Sequence, residues 1–231
     1  MNSMTKAMTL LIAILFCSIA KAEIFLPSIF SDGLALQQNQ QVSIWGKGTC
    51  NTTLTIRTSW NKQTLHTTVD DKGKWTISFQ TPSHTVNQWI TITDSQKQTK
   101  RISNILIGDV WLCGGQSNME FPVGKHPTKK WMNGITNYEN ELLNADYPEI
   151  HLFHVERQQN INAESDDVVG HWMVCTPENA YNFSAIGFLF IRRLFNETHI
   201  PMAMIEDCWA GTHAESWIPM NVMQQKNSFY K

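Results

Sequence analysis

The stretch Ile105 to Glu120, ILIGDVWLCGGQSNME, constrains this chain more than any other. Ile105, Leu106 and Ile107, followed by Val110, Trp111, Leu112 and Cys113, form an apolar run that predicts a buried strand. The run ends on Gly114 and Gly115, which permit a sharp turn with positive φ, and Gln116, Ser117 and Asn118 stand directly behind it. In an open α/β sheet the crevice past the carboxyl ends of the strands is where ligands bind. A serine on such a turn holds its hydroxyl in that crevice, beside backbone N–H groups able to bind an oxyanion. Spacing alone leaves a second reading open, in which Ser117 caps the helix that follows.

The front of the chain reads as a leader. Lys6 precedes an apolar core from Leu10 to Phe16, and Ala20-Lys21-Ala22 has the small-residue pattern of a cleavage site. The apolar run is short for a membrane span. Cleavage near Ala22 and export are expected. A formal net charge of −2 and the absence of any lysine–arginine cluster point to neither nucleic acid nor a membrane surface as partner. Past the leader stand Cys50, Cys113, Cys175 and Cys208, whose spacing matches no small stapled scaffold. Buried free thiols are expected for Cys113 and Cys208. Zinc is not expected, because there is neither a CxxC pair nor an HExxH.

Residues 23–104 read as short strands and turns. Val42–Trp45, Leu54–Thr58, Trp75–Phe79 and Trp89–Thr93 alternate, with Gly46-Lys47-Gly48 and Asp71-Lys72-Gly73 as turns. That pattern predicts a small antiparallel β-sandwich with Trp45, Trp75 and Trp89 in its core. Residues 105–231 read differently. Trp131–Asn144 has helical spacing, Ile150–Val155 is a buried strand, and Ser184–Thr198 is a second helix. Pro201–Ile205 is a third strand, and the alternation predicts a parallel α/β sheet. His151 and His154 point to opposite faces of their strand, which argues against a metal pair. The third strand runs into Cys208–Trp217, a turn expected to open on the same crevice as Ser117.

Gly115-Gln116-Ser117-Asn118-Met119, preceded by Val110-Trp111-Leu112, resembles the nucleophile block of the sialate O-acetylesterase family, carbohydrate esterases related to the SGNH hydrolases. It is not a G-x-S-x-G elbow, because Met119 stands at the second glycine. Similar matches are Phe30–Gln38, Val42–Gly46, Gly73-Lys74-Trp75, Gly170-His171-Trp172 and Phe183-Ser184-Ala185. So is Trp209–Trp217, in which Ala210 stands at the first of two family glycines.

The resemblance implies a β-domain followed by an SGNH-like α/β domain, no cofactor, and an acetylated sugar, sialic acid first, as substrate. Ser117 is implied as nucleophile and Gly211 as part of the oxyanion site, with Gln116, Asn118 and Glu215 lining it. The family's base is an aspartate with a histidine three residues later, well downstream of the Trp209 block. No such pair stands in a matching position before Lys231, so the esterase domain is expected to be incomplete here. Asp207 with His213 is a makeshift substitute, with a surface loop histidine as the plainer reading of His213, and Arg157 is read either as a partner for a sugar carboxylate or, more simply, as a solvated loop arginine. Acetylated xylan is an alternative substrate. A non-catalytic carbohydrate-binding protein is the rival from another class.

Overall fold

The computed structural model describes residues 23–159 and 165–224. The expected leader and its cleavage point at Ala22 lie outside these residues, as do residues 225–231. Strands β1 to β7 occupy Ala35–Gln37, Gln41–Lys47, Thr53–Thr58, Thr64–Thr68, Lys74–Gln80, Thr85–Asp94 and Thr99–Gly115.

The last of these organises the rest. Its first part runs antiparallel to β6, from Thr99 opposite Thr93 to Ile107 opposite Thr85. Its second part runs parallel to β10 (Met202–Cys208), from Asp109 opposite Met202 to Gly115 opposite Cys208. The apolar run read from sequence is therefore the centre of a 17-residue strand that passes through both halves of the chain. The expected division at residues 104 and 105 falls inside it, at a bulge. Asn104 takes φ 53, and the pairing with β6 shifts register between Ile102 and Ile105. Bulges bend a strand and increase its local twist, and this one lies shortly before β7 exchanges β6 for β10 as its partner.

Among the described residues the main sheet has eight strands in the order β4-β3-β6-β7-β10-β8-β9, with β1 added to β7. Here β8 is Tyr147–His154 and β9 is Trp172–Cys175. The β7-β10-β8 core is parallel, as the alternation of strands and helices predicts. The edge strand β9, not anticipated from sequence, is antiparallel. β2 and β5 form a separate antiparallel ribbon. Its inward residues Ile44, Trp75, Ile77 and Phe79 share one core with Leu54, Ile56, Ile90, Ile92 and Ile102 of the main sheet.

Strand periodicity corrects two core assignments. Ile44 is fully buried, so its neighbour Trp45 faces outward and is 41% exposed. Ile90 is likewise buried, and Trp89 lies half-buried on the other face with the Arg101 guanidinium 4.7 Å from its ring. Only Trp75, in phase with Ile77 and Phe79, is a core residue. A short helix α1 (Ser117–Glu120) follows β7. The helix expected over Trp131–Asn144 shrinks to α2 (Tyr138–Leu143), because Gly134 and Asn137 take positive φ and interrupt the apolar spacing. Pro148 lies inside β8 (Tyr147–His154).

After α3 (Pro177–Ala180) comes α4 (Ala185–Thr198). The Ser184 hydroxyl caps α4 by accepting the Gly187 N–H, and His199 closes it in the left-handed region. Phe188 and Ile191 bury one side of α4 on Met202, Met204 and Cys113 of the sheet. The other sheet face meets the chain's front: Trp172 donates its indole N–H to the Ile29 carbonyl at 2.8 Å. No helix of the described residues is long and apolar enough to cross a membrane.

Gly108 carries a close contact that this layout requires. A Cβ there would stand 2.0 Å from the Pro201 carbonyl oxygen, which already accepts the Asp109 N–H at 2.9 Å. The obstacle is backbone, so Gly108→Ala should force β7 and the start of β10 apart and cost about 2–3 kcal/mol, at the upper end for overpacking. A urea unfolding midpoint unchanged in that variant would contradict this account.

Candidate active site

The Ser117 turn follows from the glycines that end β7. Gly115 has φ 152, where L side chains are rare, and an added Cβ would meet the Met119 Cβ at 3.3 Å. Gln116 holds the cap position of α1 without a side-chain cap bond, and Ser117 is the first helical residue. Ser117 is therefore not the cap, and among the described residues no hydrogen bond engages its half-buried hydroxyl. Gln116 and Asn118 are exposed beside it.

The parallel register brings the second turn alongside. Cys208 lies opposite Gly115, and the Trp209 N–H continues the pairing to the Gly115 carbonyl at 2.9 Å. Ala210, at a family glycine position, is not among the residues with positive φ, so alanine is unstrained there; the positive φ (83) falls on Gly211. Gly211 is exposed, with nothing within 4 Å of where a Cβ would stand. The loop beyond is tied by Thr212, whose hydroxyl donates to the Trp209 carbonyl at 2.8 Å and accepts the Trp217 indole N–H at 2.9 Å. Glu215 lies on the 3-10 turn Ala214–Trp217 with its side chain exposed.

Glu120 joins the two turns, and sequence reasoning did not single it out. It is 7% exposed, forms ion pairs with Lys129 and Arg157, and accepts the Ala210 N–H at 2.6 Å. Burial by itself would raise its pKa, but the hydrogen bonds from Lys129, Ala210 and Arg157 outweigh it and hold the carboxyl below its ordinary value. A glutamate three residues after Ser117, one helical turn on, was the available signal. Arg157 consequently is a tethered side chain: besides Glu120, it lies 5.9 Å from the Trp209 ring.

Two clefts flank this junction. One, about 690 Å³, is lined by Glu120, His126, His154, Arg157, His171 and Glu206 among others. The second, about 480 Å³, lies between Val155–Gln159 and the Asp207–Thr212 turn with Trp217. Arg157 lines both, Gly211 the second, and Ser117 neither.

The two histidines of β8 diverge as the strand period requires. His151 is buried and donates from Nδ1 to the Gly33 carbonyl at 2.6 Å, while His154 Nδ1 meets the buried Glu206 carboxylate at 3.2 Å. The Glu206 hydrogen bond, its charge and that of Glu156 raise the His154 pKa against burial and the Arg157 charge; burial lowers that of His151. The signs therefore oppose. His154 contributes stability below the unfolded value of about 6.5, lost as pH rises through its raised folded pKa, whereas His151 destabilises the fold as pH falls below that value. The melting-temperature advantage of wild type over His154→Gln should thus be larger at pH 5.5 than at pH 8, and an advantage that grows with pH would refute the pairing.

Asp207 and His213 do not form a substitute pair. His213 is exposed at the start of the 3-10 turn, and among the described residues no bond joins it to Asp207. Burial raises the Asp207 pKa, partly countered by His154. Cys113, Cys175 and Cys208 are buried free thiols, as expected for the first and last of them. Burial pushes Cys113 up to about 11 and Cys175 up to about 12, which leaves both protonated and inert. No group of three or more metal-ligating side chains occurs among the described residues.

No protein-family model matches the chain. Sialate O-acetylesterase of Mus musculus is 30% identical over 200 residues, covering 75% of this chain and 33% of that protein. The Homo sapiens sialate O-acetylesterase is also 30% identical over 200 residues, with 75% and 34% covered. The chain thus spans about a third of the length of these curated relatives. The fold is similar to that of a carbohydrate acetylesterase from Xanthomonas citri, with a TM-score of 0.77 and 23% identity over 87% of this chain and 43% of that one. With the Ser117 and Trp209 motifs adjacent at the ends of β7 and β10, and with these relatives at 30% identity, the chain belongs to the sialate O-acetylesterase family.

Proposed function

We propose that this chain carries the nucleophile half of an exported carbohydrate O-acetylesterase acting on acetylated sialic acid. The observation behind the reading is the junction itself: the Trp209 N–H bonds to the Gly115 carbonyl and Glu120 accepts the Ala210 N–H, which ties the turn after β10 to the segment that carries Ser117. In this mechanism the Ser117 hydroxyl oxygen attacks the acetyl carbonyl carbon. Backbone N–H groups of Ser117 and Gly211 stabilise the tetrahedral oxyanion. Collapse expels the sugar hydroxyl and leaves an acetyl-serine, which water hydrolyses to acetate.

Gln116, Asn118 and Glu215 shape the rim, and the N-terminal half serves as the β-sandwich that precedes the esterase domain. The Ser117 proton is taken by a histidine oriented by an aspartate, the pair that the family resemblance implies. Sialic acid is favoured among acetylated sugars because the Arg157 guanidinium, which lines both clefts, is able to pair with a substrate carboxylate.

The test uses the polypeptide extended past Lys231 along its reading frame. Acetate release from 9-O-acetyl-N-acetylneuraminic acid should exceed that from acetylated xylan, and a phosphonofluoridate should label Ser117. Labelling that persists after Ser117→Ala would sink the nucleophile assignment. Glycan binding without any acetate release would favour the non-catalytic reading instead.

A further inference from the structure

A third pocket, about 300 Å³, lies on the outer face of the β2–β5 ribbon and shares no lining residue with the two clefts. An outward strand face in water is normally polar. This one carries Trp45, 41% exposed, and beside it Phe25, 47% exposed. Both are rigidly mounted. Phe25 pairs with Lys47 through N–H···O bonds of 2.9 and 3.0 Å, and Phe30 meets the Trp45 ring edge to face at 4.6 Å.

Polar groups complete the pocket from two sides. Lys47 and Lys74, opposite each other on β2 and β5, line it from below. Asp166 and Asp167 wall it from the chain's second half, with Asp166 paired to Lys74 at 2.6 Å. Asp167 accepts the Ser28 N–H at 2.7 Å, which fixes that wall to the first half. Two lysines against two aspartates leave the site without net charge. One Asp166 oxygen beyond the Lys74 contact, and the Lys47 ammonium, remain for a ligand.

Exposed aromatic rings beside a few convergent polar groups, in a concavity of this size, are what a small-ligand site requires. We infer that this pocket is an accessory binding site for an uncharged sugar ring. The ring's C–H face packs on Trp45 and Phe25, and its hydroxyls meet Asp166 and Lys47. A sialic acid fits poorly, since its carboxylate would face two aspartates with no cation in excess. The choice of a sugar as occupant rests on the carbohydrate-esterase reading, but binding here does not require Ser117. The site would hold a neutral part of a glycan while another part reaches the clefts, which raises the effective substrate concentration.

The test is calorimetric titration of the full chain carrying Ser117→Ala, with xylohexaose as the neutral probe and sialyllactose as the charged one. Saturable binding of xylohexaose is expected. Trp45→Ala should weaken it about tenfold, the scale of one lost aromatic contact with its area. Asp166→Ala should weaken it several-fold. Asp166 is exposed and its ion pair with Lys74 is a surface one, so its loss should leave the fold intact and keeps the test decisive should Trp45→Ala unfold. Absence of xylohexaose binding would overturn the inference, as would affinity unchanged in both variants or sialyllactose bound more tightly at the same residues. With Ser117 restored and the chain extended, Trp45→Ala should leave acetate release from a small acetylated monosaccharide unchanged. Failure of the esterase reading and failure of this site therefore give different results.

Discussion

Ser117→Ala, in the polypeptide extended past Lys231, is expected to lower acetate release by about 10⁴-fold or more, the scale seen when a serine nucleophile is removed. The same substitution should leave stability within about 0.5 kcal/mol, as for surface changes that break no structural feature. The second expectation follows from geometry. The helix cap is Gln116, and no described hydrogen bond depends on the Ser117 hydroxyl. A serine that merely supported the turn would give the opposite outcome, a lowered melting temperature with modest loss of rate. Measuring both in one preparation separates the two roles. A variant that retains even a tenth of the wild-type rate removes Ser117 as nucleophile.

Glu120→Ala is expected to have the largest effect on the integrity of the site. It strands the Lys129 and Arg157 cations beside each other and leaves the Ala210 N–H without its acceptor. Removing one member of a buried ion pair costs about 3–5 kcal/mol. Lys129 and Arg157 are 28% and 36% exposed and keep part of their hydration, so about 2–4 kcal/mol is the appropriate expectation. Glu120→Gln keeps the shape and one acceptor and should lose about half of that.

The pH dependence has a definite sign. Because the folded pKa of Glu120 is lowered, its contribution is present above the unfolded value of about 4.3 and disappears as pH falls through the folded one. The gap in chemical-denaturation stability between wild type and Glu120→Gln should therefore narrow in acid. A gap that stays constant from pH 7 to pH 3 would show that charge is not what Glu120 contributes.

Much of the fold was legible locally. The strands at β2, β3, β5 and β6 were marked by alternation and bounded by turns, and α4 by its apolar spacing. What was not legible is instructive. Trp45 and Trp89 were placed in the core by residue type, although the strict two-residue period puts them opposite Ile44 and Ile90. β1 and β4 are three and five residues long, too short to declare themselves. β9 begins at Trp172, and that indole is held by Ile29, far away in the chain. The expected helix at Trp131–Asn144 failed because Gly134 and Asn137 override apolar spacing at single positions.

The sequence by itself determined the turn chemistry and the two motifs, because glycines, a serine and an apolar run act over a few neighbouring residues. It also determined the family, through residue identities read in order. Tertiary structure alone decided that β7 runs unbroken through both halves and that β10 enters between β7 and β8. It alone chose Glu120 as the clamp between the turns. A buried carboxylate is tolerated only where partners converge on it, and its partners, Lys129, Arg157 and Ala210, come from three separate segments. Such convergence is set by the order and register of strands that pair across long stretches of chain.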